Sequence, residues 1–570
     1  ISLERLRLLI AEHHLTFNEA LEIVRASTLF TTHTPVPAGH DAFEEDLLRK
    51  YISHYHSRLS ITWDELMALG RCEGDADRKF NMSFLATRMS QELNGVSKLH
   101  GEVTQGMFNK LWPGYLKEEL YIGSVTNGVH FPTWVAPEWE EVFDDITGGP
   151  DFDQTDRSLW ERLYTVDDRK IYEVKMGLKK KLFKYIRKRL QTDMMEKHVS
   201  PRSLLNISNH LNEKALTIGF ARRFATYKRA TLLFRDINRL EKIVNNPDKP
   251  VQFIFAGKAH PHDGGGQDLI RRIFEISQMP KFEGKIIFLE NYDIELAKYL
   301  VRGVDIWLNT PTRPLEASGT SGEKGVMNGT IHFSVLDGWW VEGYRAFAGW
   351  ALPKKRTFNN QNLQDDIDAE TIYNMLEYEI VPAFYSFNND GIPVEWISHI
   401  KNTMVKIAPE FTMKRMLDDY YEKYYQKLWS RSKYLIENNF EKAKEISAWK
   451  SVLKEEWDNI EVLNYHFEQP EGNVYRSGHE YHAEIALDVK KIPKENVGVE
   501  FIFTRLNKYG ENEFVDSQEF KLISNKNGKC LYRANLIPEK AGTFFYGIRI
   551  YPKHKDLPHK QDFYLVRWID

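Results

Sequence analysis

A regular alternation of apolar runs and helical patterns between residues 215 and 301 is the feature that most constrains the fold of this chain. Apolar runs occur at residues 215–221, 251–256 and 285–289, and amphipathic stretches follow the last two, up to residues 276 and 301. Strands that alternate with helices in this way form a parallel, doubly wound sheet. We therefore expect an α/β fold in which ligands bind at the carboxyl ends of the strands.

The C-terminal part of the sequence follows a different pattern. From residue 462 onward apolar and polar side chains alternate, most clearly at residues 481–487, 499–503 and 544–550. A period of two residues is typical of strands with one buried face. Several such strands separated by turn residues predict a β-sandwich over residues 461–570.

Length and composition limit the class of protein. A chain of 570 residues is too long for one core, which predicts two or three domains. Its net charge of -4 provides no general attraction to nucleic acid or to an acidic membrane, so any anion site has to be local. Cys72 and Cys530 are too few for a disulfide framework, and no run of eighteen apolar residues occurs. We expect a cytoplasmic protein that binds neither nucleic acid nor membranes.

A cluster of cations follows the apolar run at residues 215–221. Arg222, Arg223, Lys228 and Arg229 lie within eight residues of one another. Arginine offers a bidentate fork to phosphate and lysine a point charge. A helix predicted to begin at Arg229 would bring these cations to its N-terminus, where they oppose the helix dipole, so an anion should compensate them. A solvated helix start is the alternative interpretation.

The segment 316–329 combines glycines, hydroxyl residues and one lysine, Lys324. Its sequence is Glu-Ala-Ser-Gly-Thr-Ser-Gly-Glu-Lys-Gly-Val-Met-Asn-Gly. Backbone with few Cβ atoms can approach a ligand closely, and a helix that begins near Thr320 would offer free N–H groups to an anion. A partly desolvated lysine there would have a lowered pKa, which favours a Schiff base with an aldehyde. A glycine-rich turn with a solvated lysine fits the same residues.

Two further loops carry candidate ligand-binding residues. His33 and Thr34 follow a strand-like run and precede two prolines, which would end the strand and expose them. Asn127 stands in an Asn-Gly pair after another strand-like run, and a simple turn would also explain that pair.

A third loop contains His260, His262 and Asp263 among glycines. These residues lack the helical spacing of zinc motifs, so we expect no metal site.

Together these segments resemble the α-glucan phosphorylases, the family of glycogen and starch phosphorylases, in its shorter bacterial form. The resemblance covers residues 1–457. Because a helical period is already established at residues 3–10, the chain is expected to lack an N-terminal part. The resemblance implies a GT-B fold with two Rossmann-like domains, at residues 1–122 (incomplete) and 123–457, followed by the β-sandwich. It also implies phosphorolysis of terminal α-1,4-glucosidic bonds, which releases α-D-glucose 1-phosphate with retention.

The resemblance implies a role for each candidate residue, with pyridoxal 5'-phosphate as the cofactor and α-glucan and inorganic phosphate as partners. The implied catalytic residues are Lys324, Arg223, Lys228 and His33. The implied cofactor contacts are Lys324, Arg222, Tyr292, Thr320, Ser321 and Trp134. The implied sugar contacts are His33, Thr34, Asn127, Tyr227, Glu316, Ser318 and Gly319.

Two positions depart from the family pattern. Asp293 stands where animal and plant members have arginine, so one positive contact to the phosphates is missing, and Glu323 stands where the family usually has methionine. Two other functions stay open: a GT-B glycosyltransferase that uses a nucleotide sugar, and a non-catalytic glycan-binding subunit. A homodimer is one option for the assembly.

Overall fold

The computed structural model describes residues 1–72, 74, 78–149, 151–196, 211–353, 358, 360–468, 470, 474–507, 509–526 and 528–569. Its helices in chain order are α1 Ser2–His13, α2 Phe17–Ala26, α3 Glu45–Ile52, α4 Tyr55–Arg58, α5 Trp63–Ala68, α6 Met82–Arg88, α7 Lys98–Phe108, α8 Phe131–Trp134, α9 Pro137–Thr147, α10 Arg157–Glu161, α11 Asp168–Glu196, α12 Ile237–Val244, α13 Gly264–Ser277, α14 Ile294–Gly303, α15 Thr320–Val326, α16 Trp340–Gly343, α17 Gln361–Met375, α18 Val381–Phe384, α19 Val394–Lys406, α20 Met413–Tyr420 and α21 Gln426–Glu456.

The strands alternate with these helices in the first two thirds of the chain and follow one another in the last. They are β1 Leu29–Thr32, β2 Ala42–Phe43, β3 Phe80–Asn81, β4 Glu92–Gly95, β5 Ile122–Ser124, β6 Leu216–Ala221, β7 Val251–Ala256, β8 Ile286–Leu289, β9 Ile306–Asn309, β10 Ile331–Val335, β11 Gly349–Leu352, β12 Glu461–Phe467, β13 Tyr481–Asp488, β14 Val497–Leu506, β15 Asn512–Glu519, β16 Lys521–Lys526, β17 Lys529–Leu536, β18 Phe545–Pro552 and β19 Arg567–Ile569.

The chain forms two compact units. The first comprises residues 1–95, 101–123 and 421–570, and the second comprises residues 96–100 and 124–420. Among the described residues, no helix is both long enough and apolar enough to cross a membrane.

The second unit is built on a six-stranded sheet with the order β11-β10-β9-β6-β7-β8, in which all neighbours are parallel. The predicted parallel α/β fold is thereby confirmed for this region. Strands β6, β7 and β9 are buried along their whole length, which explains their uninterrupted apolar sequences. Helices α13 and α14 begin at the side-chain caps Asp263 and Asp293, each of which accepts a hydrogen bond from the backbone N–H three residues later.

The first unit contains a three-stranded sheet with the order β1-β4-β5, in which β1 and β4 are parallel. Helices α1 and α2 form one core together with residues of α5 and α21. A capping box between Thr16 and Glu19 fixes the start of α2. Helix α21 is interrupted at residues 437–440, where the backbone leaves the helical region.

The C-terminal region of this unit is all-β, as predicted. Two antiparallel sheets, β12-β13-β17-β16 and β15-β14-β18-β19, share one apolar core. Asp562 joins this region to the helices of the same unit, since it forms buried ion pairs with Arg25 at 2.8 Å and with Lys450 at 2.7 Å. The sandwich is therefore an integral part of the first unit.

Candidate active site

The candidate site of the second unit begins at the carboxyl ends of the two central strands β6 and β9. Arg222 directly follows β6, and its Nη1 donates a hydrogen bond to Oδ1 of Asn309, the last residue of β9, at 2.9 Å. Its Nη2 donates to Oε2 of Glu316 at 2.6 Å. Parallel strands bring their carboxyl ends to one edge, so residues 87 and 94 positions apart in sequence meet here.

Glu316 binds a second cation. Lys228 Nζ lies 3.1 Å from Oε2 and 3.3 Å from Oε1 of the same carboxylate. Burial alone would raise the pKa of Glu316, but the positive charges of Arg222 and Lys228 outweigh it and hold that pKa below its usual value. Burial and then Arg222 lower the pKa of Lys228 to about 8, although Glu316 opposes the change. Two cations of the predicted anion site thus share one buried carboxylate.

The expected helix beginning at Arg229 is wrong. Short 3-10 turns at Thr226–Lys228 and Leu232–Phe234 replace it, and Arg229 between them has a left-handed φ of 47°. The Arg229 side chain turns inward and donates to the backbone oxygens of Thr310 and Pro311. These bonds fix the loop after β6 against the loop after β9.

The Arg229 guanidinium also binds aspartates near the start of α17. Arg229 Nη1 lies 2.7 Å from Asp368 and 3.0 Å from Asp365. Arg235 binds Asp365 and Asp366 nearby. These aspartates are therefore not a fully solvated helix start, because Asp368 is buried in its ion pair with Arg229.

The backbone of Glu316 is held by a residue that sequence analysis did not select. Asp337 Oδ2 accepts from the N–H of Glu316 at 2.9 Å, and its Oδ1 accepts from the N–H of Gly338. Burial raises the pKa of Asp337 to about 7. The only sequence signal for Asp337 is the Asp-Gly pair that follows strand β10. The only sequence signal for Asn309 is its position at the end of strand β9.

Lys324 lies on the seven-residue helix α15, which begins at Thr320 as predicted. Its Nζ lies 3.9 Å from the ring centroid of Trp134, within the range of a cation–π contact. Burial lowers the pKa of Lys324, while Glu323 acts in the opposite direction. The amine is therefore easier to deprotonate than a solvated lysine.

The glycines around Lys324 serve packing. A Cβ at Gly322 would lie 2.5 Å from the ring of His332, and one at Gly329 would lie 2.7 Å from Ile400. Burial and then Arg222 lower the pKa of His332 to about 3, so its ring is neutral. Gly319 has φ +93°, a conformation that a side chain would strain, and Trp339 lies beside it.

The remaining predicted cofactor contacts lie around the same helix and strands. Ser321 Oγ accepts from Trp307 Nε1 at 3.1 Å. Tyr292 and Trp134 pack against one apolar cluster that includes Trp307. Burial raises the pKa of Tyr292 to about 12, so its hydroxyl keeps its proton and can donate.

Asp293 has a structural role that the sequence did not disclose. Besides capping α14, its Oδ2 binds the Arg189 guanidinium at 3.2 Å. Arg189 Nη2 also donates to the backbone oxygen of Asn291 at 2.6 Å. A guanidinium from α11 therefore lies beside the loop that carries Tyr292.

Glu323 is fully buried, one residue before Lys324. Its Oε1 accepts from Ser318 Oγ at 3.4 Å, and its Oε2 has no hydrogen-bond partner among the described residues. Burial raises the pKa of Glu323 well above its usual value, although Arg415 and Lys324 lower it.

Hydrogen bonds to its backbone oxygens fix the loop that contains Asn127. Arg415 donates to the backbone oxygens of Thr126 at 2.8 Å and Asn127 at 3.1 Å. Thr126 Oγ1 donates to Glu342 at 2.6 Å. These contacts fix the backbone at Asn127.

Four predicted site residues remain to be placed: Arg223, Tyr227, His33 and Thr34. Arg223 is exposed, and the Tyr227 ring lies 5.0 Å from Lys228 Nζ. His33 and Thr34 follow β1 and belong to the first unit, where His40 binds the Thr34 backbone oxygen at 2.8 Å.

The loop between β7 and α13 has ordinary structural contacts. His260 Nδ1 accepts from the N–H of His262, and Asp263 caps α13. Within the described ranges, no group of three or more histidine, cysteine, aspartate or glutamate residues is arranged to hold a metal ion.

Two family models match the chain. One described as carbohydrate phosphorylase matches residues 1–348, and one described as the glycogen phosphorylase C-terminal domain matches residues 457–570. The second match coincides with the all-β region.

Curated relatives show the same similarity. The chain is 38% identical over 563 residues to a maltodextrin phosphorylase of Thermococcus litoralis, which covers 98% of this chain and 64% of that protein. It is 41% identical over 416 residues to a glycogen phosphorylase of Aquifex aeolicus, with 73% and 59% covered. It is 38% identical over 470 residues to one of Mycobacterium bovis, with 81% and 54% covered. The chain therefore spans between half and two thirds of the length of these relatives.

Proposed function

Because the chain belongs to the carbohydrate phosphorylase family, we propose that it forms the larger part of an α-glucan phosphorylase that depends on pyridoxal 5'-phosphate. The reaction is phosphorolysis of a terminal α-1,4-glucosidic bond, with release of α-D-glucose 1-phosphate and retention of configuration. The observation that carries the proposal is the segment 316–324. At its start Glu316 gathers the cations Arg222 and Lys228, and at its end stands the partly desolvated amine of Lys324.

The residues around Lys324 fit the proposed cofactor. A desolvated amine is suited to a covalent bond with an aldehyde. Two buried donors, Arg222 Nε and Trp339 Nε1, have no hydrogen-bond partner among the described residues, and buried donors are normally satisfied. Trp339 adjoins Gly319, at the start of the helix that carries Lys324. When bound through Lys324, the cofactor would supply a phosphate group that exchanges a proton with the substrate phosphate.

The chain's own residues would bind and orient the reactants. Arg222 and Lys228 provide positive charge that lets two phosphate groups approach each other. Because Glu316 now neutralises these cations, an incoming phosphate would share them with it. Asp337 and Asn309 hold Glu316 and Arg222 in place, so the cations are positioned before substrate binds. Tyr292 would donate a hydrogen bond to the cofactor phosphate.

Sugar binding would involve Asn127 and the segment that begins at Glu316. Asn127 would bind the sugar 6-hydroxyl, and Glu316 with the Ser318 and Gly319 backbone would bind other hydroxyls. His33, Thr34 and Tyr227 complete the proposed sugar contacts. Arg223 would bind the substrate phosphate together with Lys228, and Thr320, Ser321 and Trp134 would contact the cofactor.

The remaining features follow from family membership. We propose a GT-B arrangement with Rossmann-like domains at residues 1–122 and 123–457 and a sandwich at residues 461–570. We also propose a cytoplasmic location and leave a homodimer as an option for the assembly.

The test uses the full-length protein with maltodextrin. Phosphate-dependent release of glucose 1-phosphate should occur in wild type and be lost in Lys324→Ala. Borohydride reduction followed by peptide mass spectrometry should leave a pyridoxyl group on Lys324. Absence of glucose 1-phosphate release in wild type, or transfer from a nucleotide sugar by a protein without a pyridoxyl group, would refute the proposal.

A further inference from the structure

Asn328 ties together Lys324 and Trp134, the two residues whose side chains are in cation–π contact. It is fully buried, and its Nδ2 donates to the backbone oxygens of Lys324 at 2.8 Å and Trp134 at 3.0 Å. Its Oδ1 accepts from the N–H of Ala136 at 2.8 Å. One amide side chain therefore joins the last turn of α15 to the segment that follows α8.

The backbone of Asn328 is fixed from the other side. Its carbonyl oxygen accepts from Trp139 Nε1 at 3.0 Å and from Lys175 Nζ at 3.2 Å. Lys175 is buried and also donates to the backbone oxygen of Val304 and to Thr330 Oγ1. The Lys175 side chain thus ties Asn328 to Val304, which lies between α14 and β9, and to Thr330, which directly precedes β10.

We propose that Asn328 is the positioning residue that holds the Lys324 amine against the Trp134 ring, and that Lys175 supports Asn328 in this role. The inference rests on the proposed function, because it concerns the same lysine. The relevant distance is the 3.9 Å between Lys324 Nζ and the indole centroid. Asn328 contacts neither group directly, yet it bonds the backbone of both residues.

The chemistry of the amide explains why asparagine is needed here. Two carbonyl oxygens require donors and one N–H requires an acceptor, and a primary amide provides both. An ionised aspartate accepts only, so it would face the oxygens of Lys324 and Trp134 with a negative charge. A protonated aspartate regains one donor. The defect of Asn328→Asp should therefore depend on pH, whereas that of Asn328→Ala should not.

The experiment compares full-length wild type, Asn328→Asp and Asn328→Ala from pH 5 to pH 9. After removal of the cofactor, pyridoxal 5'-phosphate is added back, and its attachment to Lys324 is trapped with borohydride at timed intervals. We expect about tenfold slower attachment in Asn328→Ala, in line with the loss of hydrogen bonds to two buried carbonyls. Asn328→Asp should be slower still at pH 8 and should recover toward the rate of Asn328→Ala or above it at pH 5.

Thr403→Val is the matched control. Thr403 is also fully buried in the second unit, and its Oγ1 donates to the backbone oxygen of Ala348 at 2.7 Å, so the variant loses a buried hydrogen bond elsewhere in the fold. We expect a similar fall in thermal stability and an unchanged attachment rate.

The outcomes separate the two proposals. If the Asn328 variants attach the cofactor at the wild-type rate, or if Thr403→Val slows attachment as much as they do, the inference is wrong while the proposed function stands. If wild type attaches no cofactor, the proposed function fails and the inference fails with it.

Discussion

Glu316 forms a buried ion pair with Arg222, with Oε2 and Nη2 2.6 Å apart and neither side chain more than 10% exposed. Lys228 shares the carboxylate. Removal of one member of a buried ion pair is costly because it leaves an uncompensated charge. Glu316 is therefore the shared counterion of the two buried cations Arg222 and Lys228.

Replacing Glu316 with glutamine should destabilise the full-length protein by about 3–5 kcal/mol, because two buried cations lose their counterion. Added phosphate should raise the thermal midpoint of Glu316→Gln more than that of wild type, because an anion can take the place of the carboxylate. Thermal unfolding with phosphate, compared with chloride at equal ionic strength, measures this. Glu241→Gln breaks a partly exposed pair with Lys281 and should cost only about 0–1 kcal/mol. Equal losses in the two variants would contradict the prediction.

The affinity for phosphate should decrease as the pH rises through about 8. The pKa of Lys228 is lowered to about 8, so its positive charge is present below that pH and is lost above it. Steady-state measurements from pH 6.5 to pH 9.5 should show the KM for phosphate rising in wild type. Lys228→Arg keeps its charge over this range and should give a flatter profile. A profile in the arginine variant that parallels wild type would show that another group titrates.

An arginine at position 293 should destabilise this protein. Asp293→Arg removes the cap of α14, which is worth about 0.5–2 kcal/mol, and brings two guanidinium groups together at Arg189. Asp293→Asn keeps a capping oxygen and should cost no more than about 1 kcal/mol. Thermal midpoints of both variants, with and without Arg189→Met, form a double-mutant cycle. Absence of coupling between positions 189 and 293 would contradict the ion pair.

Lys175 should make stability increase between about pH 7 and pH 10. The pKa of Lys175 is lowered to about 7 in the folded protein. Burial is the main cause and the charge of Lys179 adds to it, while the charge of Asp305 opposes both. In the unfolded chain a lysine has a pKa of about 10.4. In that window the unfolded state binds more protons, so stability rises with pH by at most about 1.4 kcal/mol per unit. Lys175→Met should lose this contribution to the slope. Parallel stability profiles of the two proteins would show that Lys175 titrates normally.

The sequence predicted the architecture well where burial alone determines it. The bounds expected for the strand at residues 251–256 agree with β7, because a strand covered on both faces needs an unbroken apolar run. Similarly, the change to a period of two marked the all-β region, since strands such as β13 and β17 bury every second side chain in the shared core.

The sequence could not predict which charged groups pair in the site. The Arg229 contacts depend on a left-handed backbone at that residue, and local sequence offered an ordinary helix start instead. Asn328 stands in an Asn-Gly pair, and four of the hydrogen bonds described above join it to Trp134, Ala136, Trp139 and Lys175 in distant segments. Such contacts arise from tertiary structure, which a single sequence does not encode locally.

The close contact between Gly322 and His332 limits how this protein can change over evolutionary time. A methyl group at residue 322 cannot fit while an imidazole occupies position 332. A lineage that enlarges the first residue must shrink the second beforehand, so the two positions should covary among its descendants.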